Sequence, residues 1–174
     1  MNNDIYAEWL VKRKKPAYAP LVYAGVVLLV LIGLIASILN PFGFLVLILA
    51  VGAGYFAGLK LNVEYEYVFV TNELSIDRIS AQKSRKRIEN LEMQKVEKVI
   101  STRSHEFDYV KNNPRAKVID YSSRTAGADT YAIFYSGQLG QEVYLFEPNE
   151  RLLKCMKNAA PRKVTIEQSI TAKN

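Results

Sequence analysis

Residues 16–59 read PAYAPLVYAGVVLLVLIGLIASILNPFGFLVLILAVGAGYFAGL, and between Pro16 and Leu59 there is no charged side chain. A run of that length can cross a bilayer twice, since one helical crossing takes about 20 apolar residues. The run is broken once, at Asn40-Pro41-Phe42-Gly43. Proline lacks an amide donor and disfavours helix at the residue before it, so this break is the turn of a helical hairpin. The reading is two spans, about 17–39 and 42–59, within a membrane segment 16–60. In the first span each Leu, Ile or Val contributes about −0.3 to −0.6 kcal/mol to insertion, roughly −4 to −7 kcal/mol in sum. Gly43, Gly52, Gly54 and Gly58 dilute the second span, which is expected to insert paired with the first. A secretory signal is the competing reading of the first span. It fits poorly, because the apolar core is long and a second apolar span follows at once.

Basic residues beside the spans set the expected orientation. Lys12, Arg13, Lys14 and Lys15 precede the first span and Lys60 follows the second, while the turn carries none. The positive-inside rule then places the protein in the cell membrane as a multi-pass protein with both termini cytoplasmic. Tyr18, Tyr23 and Tyr55 lie toward the span ends, where amphipathic rings favour the headgroup level. Asn2 to Val11, within an N-terminal segment 1–15, reads as a short amphipathic helix capped by Asn3 or Asp4. Its Trp9, ahead of the four-residue basic run, suits a helix lying in the interface. With Tyr18, Trp9 forms the expected interface anchor. The other reading of the lysines is a plain topology signal.

Ala50, Gly54 and Gly58 recur every four residues on the second span. Small residues at that spacing let a helix approach closely. The face serves either a partner helix, in another membrane protein or a second copy, or packing inside the hairpin against Gly25 or Gly33. No charged or strongly polar side chain lies mid-span, which argues against a solute or proton path.

From Lys60 onward the chain is polar and its hydrophobic period changes to two. Whole-chain mean hydropathy near zero therefore averages two unlike parts. Val63, Tyr65, Tyr67 and Phe69 alternate with Glu64, Glu66 and Val68, a strand with one buried face. Thr71-Asn72 is a turn, and Leu74 to Asp77 resumes the alternation. Arg87–Leu91, Val96–Ser101, Lys117–Tyr121, Thr130–Tyr135 and Glu142–Phe146 are further strands. The last two are joined by Ser136-Gly137-Gln138-Leu139-Gly140, a hairpin signal. Glu92-Met93-Gln94 is a turn, and Ser104 to Arg115, ending in Asn112-Asn113-Pro114, reads as irregular. Asn149 caps a helix over about 149–158 with Leu152, Leu153 and Met156 inward. Pro161 ends it, and residues 165–174 read as a disordered tail.

The order is thus six or seven antiparallel strands followed by one amphipathic helix, over residues 61–164. A bent antiparallel sheet leaves one end open, and a terminal helix can close it. This is the logic of a pleckstrin-homology-like fold.

Asp4-Ile5-Tyr6-Ala7-Glu8-Trp9-Leu10-Val11-Lys12-Arg13-Lys14 opens the chain. Val63-Glu64-Tyr65-Glu66-Tyr67 leads to Thr71-Asn72-Glu73-Leu74-Ser75-Ile76-Asp77, and Tyr144-Leu145-Phe146-Glu147-Pro148 leads into the final helix. In these stretches the chain resembles a Gram-positive, Firmicutes-type family of small two-span membrane proteins with a bacterial pleckstrin-homology-like cytoplasmic domain. The resemblance covers nearly the whole chain and implies a fold, not an activity. Where related domains have Asn-Gly at the first hairpin turn, this chain has Asn72-Glu73, which bears on turn type.

Chemistry is sparse. The single cysteine, Cys155, excludes an internal disulfide and a cysteine-based metal site, and fits a small apolar residue of the last helix. The single histidine, His105, has no carboxylate cluster around it that would complete a metal centre. No glycine-rich phosphate loop occurs. No metal or cofactor is expected. A catalytic site would have to lie in the 101–120 loop, with His105, Glu106 and Asp108. The basic run Lys83, Arg85, Lys86 and Arg87, read as a loop between strands, is the candidate contact for anionic lipid headgroups or a partner, together with Lys12, Arg13, Lys14 and Lys15. It has no aromatic residues interleaved, which disfavours nucleic acid. The functional expectation is a membrane-anchored binding or scaffolding module without catalysis. The alternatives are an accessory subunit of a larger membrane complex and an enzyme using the 101–120 loop.

Overall fold

The computed structural model describes residues 6–111, 117–137 and 140–166. The described chain divides into two compact units. One takes residues 14–63 with 80–84, and the other takes 6–13, 64–79 and 85–166. The smaller unit is a helical hairpin, α1 (Ala19–Leu39) and α2 (Gly43–Leu61). Pro20 lies in the first turn of α1, where its missing amide costs nothing. Asn40 makes the turn through its side chain, Oδ1 accepting from Phe42 N at 3.0 Å, while its carbonyl accepts from Gly43 N at 2.9 Å. A Cβ on Gly43 would stand 2.1 Å from the carbonyl carbon of Ala36, so only glycine lets the chain double back this tightly. Both helices are long and apolar enough to cross a membrane. Their most apolar windows are only 6% and 11% buried, unlike the core helix of a water-soluble protein.

The larger unit holds two four-stranded sheets. The first has the order β1-β2-β3-β4, with β1 Tyr6–Lys12, β2 Val63–Val70, β3 Glu73–Ser80 and β4 Ser84–Glu92. The second has the order β5-β7-β8-β6, with β5 Val96–Ser101, β6 Lys117–Asp120, β7 Tyr131–Gly137 and β8 Gly140–Phe146. Two helices complete it, α3 (His105–Lys111) and α4 (Glu150–Ala159). Asn149 caps α4 as expected, Oδ1 accepting from Leu152 N at 2.8 Å, and Leu152, Leu153, Cys155 and Met156 are buried. The core includes Tyr67 and Phe146, both wholly buried and edge-to-face at 5.7 Å. Burying such a ring contributes on the order of 2 kcal/mol. The Tyr67 hydroxyl is satisfied by donating to the Tyr121 carbonyl at 2.8 Å.

Four expectations change. The helix over Asn2–Val11 is instead β1, antiparallel to β2 from Tyr6↔Val70 to Lys12↔Glu64. Its Ala7 and Val11 are buried. A spacing of four suits either period, and the long ladder with β2 decides for strand. Residues 2 to 5, with the proposed caps, lie outside the described residues. The irregular Ser104–Arg115 stretch holds α3, whose Phe107 packs on a buried cluster of Ile100, Ala132, Phe134 and Val143. Asn112-Asn113-Pro114 lies outside the described residues. The strands are not all antiparallel, because β6 runs parallel to β8. The chain passes from β6 over the place of β8 to form β7, and the β7–β8 hairpin then brings β8 back beside β6 in the same direction. Lys83 to Arg87 is not a loop, since from Ser84 it is strand β4.

Two hairpins turn through left-handed residues. Thr71 (φ 42°) and Asn72 (φ 72°) turn β2 into β3, and Glu73 already belongs to the strand. Ala81 (φ 48°) and Gln82 (φ 58°) turn β3 into β4. The tail is paired as far as Thr165, with Val164 bridging Val99 in parallel and Thr165 N donating to Val99 O. Residues 167–174 lie outside the described residues.

Candidate functional site

Four lysines gather in the hairpin unit. Lys14 and Lys15 precede α1, Lys60 sits in the last turn of α2, and Lys83 follows the β3–β4 turn. That turn joins the hairpin unit through Ala81 N donating to Asn62 O at 2.7 Å. Lys83 Nζ lies 5.9 Å from the Tyr55 ring centroid and Lys15 Nζ lies 5.5 Å from that of Tyr23. Asn62 Nδ2 donates to Gly58 O at 3.1 Å and reaches the Tyr23 hydroxyl at 3.5 Å. Tyr18, at the cap position of α1, is exposed. The helix ends remote from the Asn40 turn thus carry both lysines and tyrosines, the composition that favours a membrane–water interface.

The remaining predicted cations are engaged differently. Arg85 Nε donates to Asp77 Oδ2 at 2.7 Å and Arg87 Nε donates to Asp77 Oδ1 at 3.0 Å. Arg85 Nη2 also lies 2.6 Å from Glu66 Oε2, though without hydrogen-bond geometry. Asp77 and Glu66 are buried, while both guanidinium side chains stay more than half exposed. Burial pushes the Asp77 carboxyl up, but the hydrogen bonds from Arg87 and Arg85 outweigh it and hold the group below its ordinary value. Glu66 goes the other way, raised by burial and by its neighbour Glu8. Glu8 stays ionised more readily, because the Tyr6 hydroxyl and Glu66 both hydrogen-bond to it.

Arg13 is also internal. Its guanidinium lies over the Tyr65 ring at 5.5 Å, Nη1 donates to the Tyr65 hydroxyl at 2.5 Å, and Nη2 is 3.7 Å from Asp120 Oδ2. Lys12 pairs loosely with Glu64 at 3.9 Å. Among the described residues Lys14 and Lys86 make no ion pair. Trp9 sits half-exposed in β1, opposite Tyr67.

The small-residue face is divided. Ala50 is buried, and a Cβ on Gly54 would meet Val26 Cγ1 at 2.9 Å, so both serve packing inside the hairpin. Gly33 does the same, meeting the Leu47 backbone at 2.9 Å, whereas Gly25 and Gly58 face open space.

The family model described as a bacterial PH-like domain (DUF6106) matches residues 3–166. The chain belongs to that family. No curated protein and no solved structure matches it. The two antiparallel-rich sheets and the closing helix α4 are the architecture of a PH-like domain, here with two long apolar helices between its first and second strands.

In this PH-like domain, His105, Glu106 and Asp108 form the first turn of α3 and are all exposed. Glu106 is held by Lys98. Asp108 borders a hollow of about 480 Å³ with Thr102, Ser122 and Thr130, and His105 does not line it. Among the described residues no group of His, Cys, Asp and Glu converges to hold a metal ion.

Sequence reading missed a row of tyrosines between the two sheets. Tyr65 and Tyr121 are 5.3 Å apart, Tyr121 and Tyr144 stack at 6.2 Å, and Tyr144 meets Tyr135 edge-on at 6.0 Å. Burial and then a carboxylate partner, Glu89 for Tyr121 and Glu142 for Tyr144, raise both phenols well above their ordinary range and keep them neutral. The inward alternation of Tyr65 and Tyr67 was a visible signal. The partners across the sheet were not.

Proposed function

We propose that this chain is a membrane-anchored binding module, with α1 and α2 crossing the bilayer and the PH-like domain on the cytoplasmic side. The carrying observation is the β1–β2 ladder. The strand before the first span pairs along its length with the strand after the second, so both ends of the hairpin emerge on one side. Lys14, Lys15, Lys60 and Lys83 belong to that end, and none stands in the Asn40 turn. By the positive-inside rule this side is cytoplasmic. On this reading the four lysines contact anionic lipid headgroups, each contributing about 1 kcal/mol near the surface. They hold the domain at the bilayer without a specific lipid pocket. Arg13, Arg85 and Arg87 serve the domain's own ion pairs. The module recruits a partner and does not turn over a substrate. The exposure of His105 and its separation from the Asp108 hollow support that reading.

Single-cysteine variants on a Cys155→Ser background test it. With a membrane-impermeant maleimide, Asn40→Cys is expected to label from outside intact cells, and Gln82→Cys only after the inner face is opened. The reverse pattern, or labelling of both positions from one side, removes the proposal.

A further inference from the structure

Beyond membrane anchoring, the tyrosine row carries a second inference. At one end it already holds a guanidinium. Arg13 lies over the Tyr65 ring with Asp120 as its carboxylate partner, an aromatic face and an anion shared by one cation. The other end of the row repeats the pairing. There a hollow of about 410 Å³ opens between β4 and the second sheet, lined by Glu89, Leu91, Tyr135, Glu142 and Tyr144.

Its lining is rich in acceptors. The Tyr121 hydroxyl donates to Glu89 Oε1 at 2.8 Å, and the Tyr144 hydroxyl donates to Glu142 Oε2 at 2.6 Å, so both phenols spend their protons on carboxylates. Lys117 is bound to Glu142 Oε1 at 2.8 Å, and Lys95, also on the lining, is bound to Glu92 at 2.8 Å. Among the described residues Glu89 takes one hydrogen bond, from Tyr121, and no ion pair. Ser136, also on the lining, donates its hydroxyl to Glu97, which lies outside it. In a chain of net charge +6, this places Glu89, which makes no ion pair among the described residues, beside the half-buried Tyr135 ring, with the buried Tyr144 behind it. A cation over an aromatic face is attracted by the ring quadrupole, more so as water is excluded, and a charged hydrogen bond to a carboxylate adds to it. Lys95 and Lys117 are already engaged by Glu92 and Glu142, so the acceptor left to a ligand is the Glu89 carboxylate, which favours a cation over an anion.

We propose that this hollow binds an alkylammonium or guanidinium group, seated against Tyr135 and hydrogen-bonded to Glu89, with Tyr144 closing the floor. The group can be a free polyamine or a Lys or Arg side chain of a partner peptide.

The test uses the full chain in a polyoxyethylene detergent, which carries no cation of its own, with ¹³C-labelled tyrosine rings observed by NMR. Spermidine and the peptide Gly-Arg-Gly, with blocked ends, are titrated separately, and Gly-Glu-Gly is the control. The expected result is saturable movement of the Tyr135 and Tyr144 signals with one or both cations and none with the acidic peptide. Spermidine alone marks a free amine as the ligand; the arginine peptide alone marks a side chain. Glu89→Gln keeps an acceptor for Tyr121 but removes the charge, and should weaken binding about tenfold. An unmoved signal from Tyr67, buried in the core and not in contact with Glu89, verifies the fold in that variant. Glu73→Gln, outside the hollow, should bind as wild type. If neither cation moves the two rings at millimolar concentration, or if Glu89→Gln binds as tightly as wild type, the site is not a cation site.

Discussion

Arg85 of β4 reaches across the hairpin to Asp77 of β3, Nε donating to Oδ2 at 2.7 Å, and Arg87 takes the other oxygen of the same carboxylate. Asp77 is almost wholly buried, so its charge depends on those two donors. Asp77→Asn should destabilise the domain by about 1–2 kcal/mol. This is less than for a fully buried pair, because the arginines remain half exposed and water can take them. Denaturant unfolding in detergent measures it. The carboxyl is held below its unfolded value of about 3.9, so its stabilisation is complete above that pH and is lost as pH falls through the folded value. The difference between wild type and Asp77→Asn should therefore shrink on acidification below about pH 4.

Glu66 should behave in the opposite sense. Its folded value is raised, first by burial, so the folded state keeps the proton to higher pH than the unfolded chain does. Stability then falls as pH rises from about 4.3 through the folded value, and the cost is complete above it. Glu66→Gln removes that cost. Near neutral pH it should unfold with equal or greater stability, by up to about 1 kcal/mol, and the gain should vanish near pH 4. A loss of stability at neutral pH would show that the contact with Arg85 outweighs burial.

These two carboxylates mark the limit of what the chain shows on its face. The charge-free run and its Asn40-Pro41 break are local signals, and so are the alternation of Val63 to Phe69 and the Asn149 cap. Each is settled within a few residues, and each appears in the structure. Around Trp9, Ile5 and Trp9 share a helix face, as do Tyr6 and Leu10, but a spacing of four fits either period. The true state of that segment depends on β2, which lies beyond the whole hairpin in sequence. Arg13 read as part of a basic run for the same reason. Its partners Tyr65 and Asp120 come from distant strands that only the fold brings together. The basic run at Arg85 reads as a loop for the same reason, since its carboxylate Asp77 lies on β3 and only the β3–β4 pairing brings the two together.

The β3–β4 turn carries strain that substitution can relieve. Ala81 and Gln82 both occupy the left-handed region, where a side chain costs about 1 kcal/mol relative to glycine. Gln82→Gly should raise the unfolding free energy by about 0.5–1 kcal/mol, and Ala81→Asn should do so by less, as Asn tolerates that region. Thermal unfolding of the full chain checks both.

The hairpin itself makes a graded prediction. A Cβ on Gly33 would meet backbone and Cβ atoms of Leu47 at 2.9–3.2 Å, atoms that cannot rotate away, so the helices must separate. On Gly54 the obstacle is Val26 Cγ1, the end of a side chain that can change rotamer. Gly58 meets nothing within 4 Å. Gly33→Ala should therefore cost about 1–3 kcal/mol of helix–helix packing, Gly54→Ala less than about 1, and Gly58→Ala nothing measurable. Cysteine crosslinking between α1 and α2 in detergent, on the Cys155→Ser background, reads the order directly. Equal loss at all three positions would mean that Gly58 is packed against a second helix in the membrane. Loss at Gly33 with Gly58 untouched keeps the small residues as the internal contact of one hairpin.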